Sequence, residues 1–360
     1  MLKVISSIIF TLFNLGSLHS QESFSYAFIT NQESNKVDVI DLIQKKKIKE
    51  INVGSKPAGI AIDSINRHVY ISNPESGNVT QINVKNFETQ NFKSGSSPLG
   101  IFYSENKNTV VVSNWYDNQI SLIKIVDQKS TDQKIIRVGT SPSGIYISEK
   151  NKEIYVANRE DNNIYVIDSD KLLLKKKINV GNAPFGVYSE EEIDFLIVTN
   201  VQSNSISVIN KNTHDLIKTI KVEDWPYQAV YDFTKNHLYV TNQRSNSISI
   251  IDMQDYKNIK VGDWPYQAVY DFTKNHLYVT NQRSNSISII DMHDYKNIKT
   301  KNEICEYPEG IDISYKHKLI VIACWFEDNI TLLDLESLNV LKKIQTSGGP
   351  RAFGKFILEN

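Results

Sequence analysis

The sequence predicts an all-β fold made of eight copies of one four-stranded unit. Two phrases carry this prediction, and each recurs eight times, with steps of 39 to 44 residues between copies of the first. The first phrase is a strand pattern that ends in Asn, followed by a short polar turn and an Ile- or Val-rich run. The second is Val-Gly (once Ser-Gly), two residues, Pro, one residue and Gly; it is clear in four copies, and the other four are weaker copies anchored by their Pro. Strand patterns at this period are typical of a β-propeller.

The first phrase predicts the two central strands of each unit, here called strands B and C. It is clearest at Tyr239 to Asn242 and at Tyr278 to Asn281. A β-branched residue follows its last position by six residues in every copy, so the turn has a constant length, as in a β-hairpin. The last positions of the eight copies are Asn31, Asn73, Asn114, Asn158, Asn200, Asn242, Asn281 and Cys324.

The second phrase predicts the inner strand, A, which starts at a proline. Proline suits the first residue of a strand, where no ladder donor is needed, and the following Gly allows close approach of inner strands. Strand D then leads to the next copy. The eight prolines are Pro57, Pro98, Pro142, Pro184, Pro226, Pro265, Pro308 and Pro350.

The two ends of the chain predict a closed ring. The chain beyond residue 20 begins at a strand B, Tyr26 to Thr30, and ends with a lone proline phrase and strand, Pro350 to Leu358. The C-terminal strand would supply strand A of the first blade and leave no free sheet edge.

One unit is present twice, which bears on the number of blades. Residues 224–262 and 263–301 differ at only three positions. Because each blade contacts only its neighbours, a copied blade keeps its packing. We therefore expect eight blades; the alternative is seven packed blades with the extra copy poorly accommodated.

Residues 1–20 are predicted to be a signal peptide, and residues 21–360 the propeller. The leader has Lys3, an apolar run and Ser20, a small residue at which cleavage is plausible; an uncleaved anchor is the alternative. The destination would be the periplasm, the cell surface or the medium, with no membrane span after cleavage. A net charge of −1 gives no indication of nucleic-acid binding.

The chain has two cysteines, Cys305 and Cys324. In the repeat register they lie at the start of strand A and the end of strand B of the last blade, which are at the same end of an antiparallel pair. A disulfide is therefore predicted, as is common in exported proteins; two independent thiols are the alternative.

The whole mature chain resembles the YVTN-repeat β-propeller family, which takes its name from the string at Tyr239 to Asn242. The resemblance implies export and a propeller, typically of seven blades, so eight would depart from the norm. The family includes exported bacterial proteins and archaeal surface-layer proteins. Related propellers include lactonases and parts of nitrite and nitrous oxide reductases.

The motifs of the sequence do not favour an enzyme. The chain has no Cys-x-x-Cys-His haem motif and no Gly-x-Ser-x-Gly nucleophile elbow. His68, His237 and His276 hold equivalent places in different blades, so they cannot converge on one metal, and we interpret them as solvated turn residues. Glu309 and Asp312 lie near inner strand ends, but in one blade only. No cofactor and no metal are predicted.

Aromatic and Arg residues predict a candidate binding site at one end of the ring. All four Trp map to B–C turns or D–A loops, around the mouth of the channel. Trp, Tyr and Arg are the residue types enriched in binding hot spots. The alternative is that these rings fold over their own blades and seal the core. The candidate residues are Trp115, Tyr116, Arg159, Trp225, Tyr227, Arg244, Trp264, Tyr266, Arg283 and Trp325.

Three functions remain open on this evidence. The favoured one is an exported, non-catalytic propeller that binds an unknown protein or small molecule at this end. The alternatives, a lactonase-like or redox-associated enzyme and a surface-layer component, rest on the resemblance alone.

Overall fold

The computed structural model describes residues 23–126, 129–232, 235–252, 256–295 and 298–360. The predicted signal peptide, residues 1–20, lies outside them. All regular structure in these ranges is β-strand, arranged as eight four-stranded antiparallel sheets. They include no helix that is long and apolar enough to cross a membrane.

Each blade runs from an inner strand A to an outer strand D. Blades 1 to 4 are β32 (Ile357–Glu359), β1 (Ser25–Asn31), β2 (Lys36–Asp41), β3 (Lys46–Asn52); β4 (Ile60–Asp63), β5 (His68–Asn73), β6 (Asn78–Asn83), β7 (Thr89–Lys93); β8 (Pro98–Ser104), β9 (Thr109–Asn114), β10 (Gln119–Val126), β11 (Lys129–Arg137); and β12 (Pro142–Ser148), β13 (Glu153–Asn158), β14 (Asn163–Asp168), β15 (Leu174–Asn179). Blades 5 to 8 are β16 (Pro184–Tyr188), β17 (Phe195–Asn200), β18 (Ser205–Asn210), β19 (Leu216–Lys221); β20 (Pro226–Asp232), β21 (His237–Asn242), β22 (Ser247–Asp252), β23 (Tyr256–Lys260); β24 (Pro265–Asp271), β25 (His276–Asn281), β26 (Ser286–Asp291), β27 (Ile298–Lys301); and β28 (Pro308–Ser314), β29 (Leu319–Cys324), β30 (Asn329–Asp334), β31 (Val340–Gln345).

The ring closes as predicted, because β32 pairs antiparallel with β1 and completes blade 1. A single apolar cluster around Phe28 and Phe356 joins blade 1 to both blade 8 and blade 2. The duplicated residues form blades 6 and 7, each with four paired strands. The eight-blade prediction is confirmed, and the seven-blade alternative is wrong.

The core lies between blades and is built largely from strand B. Tyr70, Tyr155, Tyr239 and Tyr278, each the first residue of a recurrent phrase, are at most 1% exposed. Each contributes to an apolar cluster that two neighbouring blades share. The outer strands are mostly exposed, so burial decreases from strand B to strand D.

The Thr or Ser before the repeated Asn links one blade to the next. In blade 7, Thr280 Oγ1 accepts a hydrogen bond from the Gln267 N–H (3.2 Å) and donates one to the Glu309 carbonyl of blade 8 (2.8 Å). Ser113 Oγ likewise accepts a hydrogen bond from the Gly100 N–H (2.9 Å) and donates one to the Ser143 carbonyl (2.7 Å) of the next blade. One hydroxyl on strand B therefore binds the start of strand A in its own blade and the start of strand A in the next blade.

The repeated Asn itself is buried and binds strand C. Asn242 Nδ2 donates to Ser247 Oγ (3.1 Å) and Ser249 Oγ (2.8 Å), and Asn281 does the same in blade 7. Its role is therefore to hold the B–C hairpin closed from within.

A second Asn, the last residue of the B–C turn, makes a further link between blades. Asn162 has a left-handed φ of 54°, and its Oδ1 accepts the Ala183 N–H of blade 5 at 2.8 Å. Ala183 precedes a repeated Pro and is also left-handed, with a φ of 52°. The same link is made by Asn35, Asn118, Asn204, Asn246, Asn285 and Asp328.

Cys305 and Cys324 form the predicted disulfide, with their Cα atoms 5.8 Å apart. Cys324 ends β29 in the place that Asn holds in the other seven blades. In blade 8 a covalent bond therefore joins the D–A loop to the end of strand B.

Replacing Asn162 tests the link between blades. The change to Ala removes the acceptor and puts into the left-handed region a residue that adopts it less readily than Asn, so we expect the free energy of unfolding to fall by about 2 kcal/mol. The change to Gly removes only the acceptor and should cost about 1 kcal/mol; Gly77 occupies this position in blade 2. Urea unfolding of both variants measures the difference. Equal losses would contradict a requirement for left-handed backbone here.

Reduction tests the disulfide. It closes a loop with a sequence separation of 19 residues, so dithiothreitol should lower the free energy of unfolding by about 3 kcal/mol. A Cys305→Ser, Cys324→Asn double variant should not respond to the reductant. Two free thiols in the denatured, unreduced protein would refute the bond.

Candidate binding site at the channel mouth

The residue after each repeated Pro lies where an inner strand enters the channel. These eight positions form a ring with two unlike halves. Blades 2 to 4 contribute small or aliphatic residues, whereas blades 5 to 8 and blade 1 contribute aromatic or charged ones. In that order the residues are Ala58, Leu99, Ser143, Phe185, Tyr227, Tyr266, Glu309 and Arg351.

The aromatic half is a continuous stack. The Phe185 and Tyr227 ring centroids are 5.1 Å apart and nearly parallel, and Tyr227 stacks on Tyr266 at the same distance. Phe353 meets Tyr227 and Tyr266 at steep angles, with 6.0 Å between the ring centroids in each case. Burial raises the pKa of both tyrosines, so each keeps its hydroxyl proton at neutral pH.

Phe353 reaches this stack because the C-terminal segment crosses into the channel before it joins blade 1. The backbone N–H of Arg351 donates to the Thr30 carbonyl (2.9 Å), and Phe353 forms an isolated parallel β-bridge with Gly59 of blade 2. Gly354 then has a φ of +93°, which residues with a side chain rarely adopt. The turn lets the chain return to the wall at β32.

Arg351 is held on several sides. Its Nε lies 3.1 Å from Glu309 Oε2, and its Nη2 donates to the Tyr266 hydroxyl at 2.9 Å. Nη1 donates to Gln32 Oε1 at 3.3 Å, and the guanidinium carbon lies 5.7 Å from the Trp325 ring centroid. These contacts fix the guanidinium while leaving the side chain 31% exposed.

Glu309 is the buried counterion of Arg351. It is 4% exposed and accepts a hydrogen bond from Gln282 Nε2 at 3.0 Å. Burial raises the pKa of Glu309 to about 7, an effect that the charge of Arg351 only partly offsets. The carboxyl therefore changes its charge near neutral pH although a cation lies beside it.

The other inner carboxyl, Asp312, holds the C-terminal segment in place. Its Oδ2 accepts the N–H groups of Phe356 and Ile357, each at 3.1 Å. Among the described residues, no group of three or more His, Cys, Asp or Glu side chains could hold a metal ion. Both carboxyls that the sequence offered for chemistry are thus bound to the protein itself.

Two adjoining cavities lie at this end of the ring. The inner cavity is about 370 Å³ and is bounded by the aromatic stack and the inner strands of blades 2 to 6. The outer one, here called the vestibule, is about 1170 Å³ and lies over blades 2 and 3. They share Ala58, Leu99 and Arg351 as wall residues.

The structure separates the ten predicted site residues into two groups. Tyr227 and Tyr266 line the inner cavity, and Tyr116 lines the vestibule with 76% of its surface exposed. The remaining residues lie at the rim as stacked Trp–Arg pairs, apart from Trp325, which packs against Arg351. The rim pairs, with guanidinium-to-ring distances, are Trp225–Arg244 at 3.3 Å, Trp264–Arg283 at 3.6 Å and Trp115–Arg159 at 5.9 Å.

Sequence reasoning missed Arg351, Phe185, Phe353 and Gln282 as site residues. The first two could have been found by comparing the residue after each repeated Pro. Phe353 and Gln282 reach the site through tertiary packing, which the repeat does not encode.

The interpretation of the histidines as solvated is wrong for His68. It is 2% exposed and begins β5, a strand whose six residues are all buried. Its Nδ1 lies 3.9 Å from Asp63 Oδ2. His237 and His276 begin the equivalent strands β21 and β25 and are partly buried.

Comparison with known proteins agrees with this fold. The family model described as YNCE-like beta-propeller matches residues 7–265, and no curated protein matches the chain by sequence. Dihydro-heme d1 dehydrogenase NirN in complex with DHE is similar with a TM-score of 0.79 at 14% identity, covering 90% of this chain and 74% of that one.

Two further structures have a similar shape. Apo AztD from Citrobacter koseri has a TM-score of 0.70 at 12% identity, covering 94% of this chain and 98% of that one. Inactive virginiamycin B lyase from Staphylococcus aureus with Quinupristin has a TM-score of 0.61 at 17% identity, covering 83% and 96%. At these identities the likeness extends to the fold alone.

The pH dependence of stability tests the state of Glu309. Because the folded-state pKa is raised from 4.5 to about 7, the folded protein keeps a proton that the unfolded chain releases. Wild-type stability should therefore fall, relative to Glu309→Gln, as pH rises from about 4.5 to 7, by an amount on the order of 3 kcal/mol. Urea unfolding of both proteins at several pH values measures this difference. Parallel pH profiles would contradict the raised pKa.

Proposed function

This chain belongs to the YNCE-like beta-propeller family, and from that premise we propose that it is an exported, non-catalytic binding protein for a small organic molecule. The molecule enters through the vestibule and lodges its flat, apolar part in the inner cavity. Within the family we assign the chain to the YVTN-repeat group, on the string at Tyr239 to Asn242 and its copy in blade 7.

The observation that carries this proposal is the unequal ring at the channel mouth. If all eight positions held large residues, they would close the channel; if all were small, it would be an open pore. Here the small side leaves a cavity and the aromatic side gives it a flat wall. A concave, largely apolar site with a few placed polar groups is the usual form of a small-molecule site.

The location of the rings supports a small ligand over a protein partner. Phe185, Tyr227 and Tyr266 lie inside the mouth, out of reach of a flat protein surface. Two of the rim tryptophans, Trp225 and Trp264, are covered by arginines instead of being free to enter a partner. Two of the similar structures are named as complexes with organic molecules, DHE and Quinupristin.

Export is supported by the disulfide and by the predicted signal peptide. Among the described residues nothing favours the lactonase alternative, because Glu309 and Asp312 are bound to protein groups and no group of His, Cys, Asp or Glu side chains could hold a metal ion. The redox alternative rests on the resemblance alone. No contact among the described residues favours the surface-layer alternative.

Filling the cavity tests the proposal. Leu99 lines both cavities, so Leu99→Trp should obstruct the passage between them. Using the neutral fluorescent probe N-phenyl-1-naphthylamine, we expect wild type to bind one molecule per chain and Leu99→Trp to bind at least tenfold more weakly.

The matched control is Leu174→Trp, since Leu174 is 52% exposed on an outer strand. It should bind the probe as wild type does. Thermal unfolding checks that both variants fold. Equal probe affinity in wild type and folded Leu99→Trp, or no saturable binding by wild type, would refute the inner cavity as the binding site.

A further inference from the structure

We infer that the site selects anions, and that its ligand is a flat aromatic or apolar molecule whose carboxylate or sulfonate binds Arg351. This inference rests on the proposed function and narrows it to one chemical class.

The inner cavity has a charged residue in its wall. Of the described residues that line it, Arg351 alone carries a charge, and the others are apolar, glycine or uncharged polar residues. Glu309 lies behind Arg351 and is not part of the wall. A ligand therefore meets a cation without meeting the carboxyl that balances it. Burying a charged group costs free energy unless the group is paired with an opposite charge. An apolar cavity with one cation therefore favours a ligand that carries one negative charge.

The guanidinium of Arg351 has N–H donors that its contacts within the protein do not use. A guanidinium has five N–H groups in a planar fork. Nε faces Glu309, and one N–H each goes to Tyr266 and Gln32. The other two N–H groups have no partner among the described residues and are available to a ligand. A held guanidinium of this kind binds carboxylate with geometric specificity, because little freedom is lost on binding.

The cation and the aromatic wall of the inner cavity are adjacent. The Tyr266 ring stacks on Tyr227, and the Tyr266 hydroxyl accepts a hydrogen bond from Arg351. One residue therefore joins the charged and apolar parts of the site. An anion on Arg351 places an attached ring system beside Tyr227 and Phe353. A cavity of about 370 Å³ is near the small end of ligand pockets, at roughly 300 to 1,000 Å³.

Gln282 is a positioning residue in this account. It donates to Glu309, which in turn faces Arg351. Its duplicate Gln243 has the same place in blade 6, but the residue after the next Pro is there Tyr266 instead of Glu309. The chain thus contains its own control for a Gln substitution.

A pair of probes tests the inference. 1-Anilinonaphthalene-8-sulfonate has the same aromatic body as N-phenyl-1-naphthylamine and adds one negative charge. Arg351→Gln should weaken binding of the sulfonate at least tenfold more than it weakens binding of the neutral probe. Gln282→Leu should weaken sulfonate binding several-fold, and Gln243→Leu should not. Thermal unfolding confirms that each variant is folded.

A competition measurement on wild type avoids dependence on any variant. 2-Naphthoate should displace N-phenyl-1-naphthylamine at a concentration at least tenfold lower than 2-naphthamide, its neutral counterpart. Equal displacement by acid and amide, or equal loss of both probes in folded Arg351→Gln, would overturn anion selectivity while leaving the binding function intact. Failure of Leu99→Trp to affect the neutral probe would instead refute the binding function itself.

Discussion

The ring depends on one recurring contact, in which a side chain of one blade accepts the N–H of the residue that precedes the repeated Pro of the next. At Asn162 this bond spans 2.8 Å and joins two left-handed residues, Asn162 and Ala183. Since a left-handed residue before Pro is unfavourable by itself, the neighbouring blade has to hold it in place. Seven of the eight blades make this contact, since Gly77 holds the position in blade 2. Where it is made, it fixes the residue before the repeated Pro, and so where the residue after that Pro enters the channel mouth.

The candidate binding site is a consequence of that placement. Because every blade delivers its residue after Pro to the same ring, a change at one such position alters the mouth without altering the blade. The duplicated unit adds both Tyr227 and Tyr266 to the aromatic wall, and the C-terminal segment adds Arg351 and Phe353. The irregular course of this segment before β32, with Gly354 at a φ of +93°, allows Phe353 to enter the channel. The segment that leads to the closing strand thus also completes the candidate site.

The sequence predicted the architecture well because the repeat encodes it locally. The four-stranded blades, their number, the closing strand and the Cys305–Cys324 bond all follow from the register of two phrases. The same register failed for His68, since a position at the start of a strand does not reveal how deeply that strand is buried. It could not predict that Glu309 pairs with Arg351, because the two belong to different blades and meet only when the ring closes. Nor could it predict that the rim tryptophans lie under arginines, since their pairing depends on side-chain direction.

We propose that a small anion occupies the inner cavity with its charge on Arg351. A crystal structure of the wild-type protein with 2-naphthoate tests it most directly. We expect one naphthoate per chain, with its carboxylate on the two N–H groups of Arg351 that have no partner among the described residues and its rings against Tyr227 and Phe353. Density for the molecule at the Trp–Arg pairs of the rim, with the inner cavity empty, would contradict it.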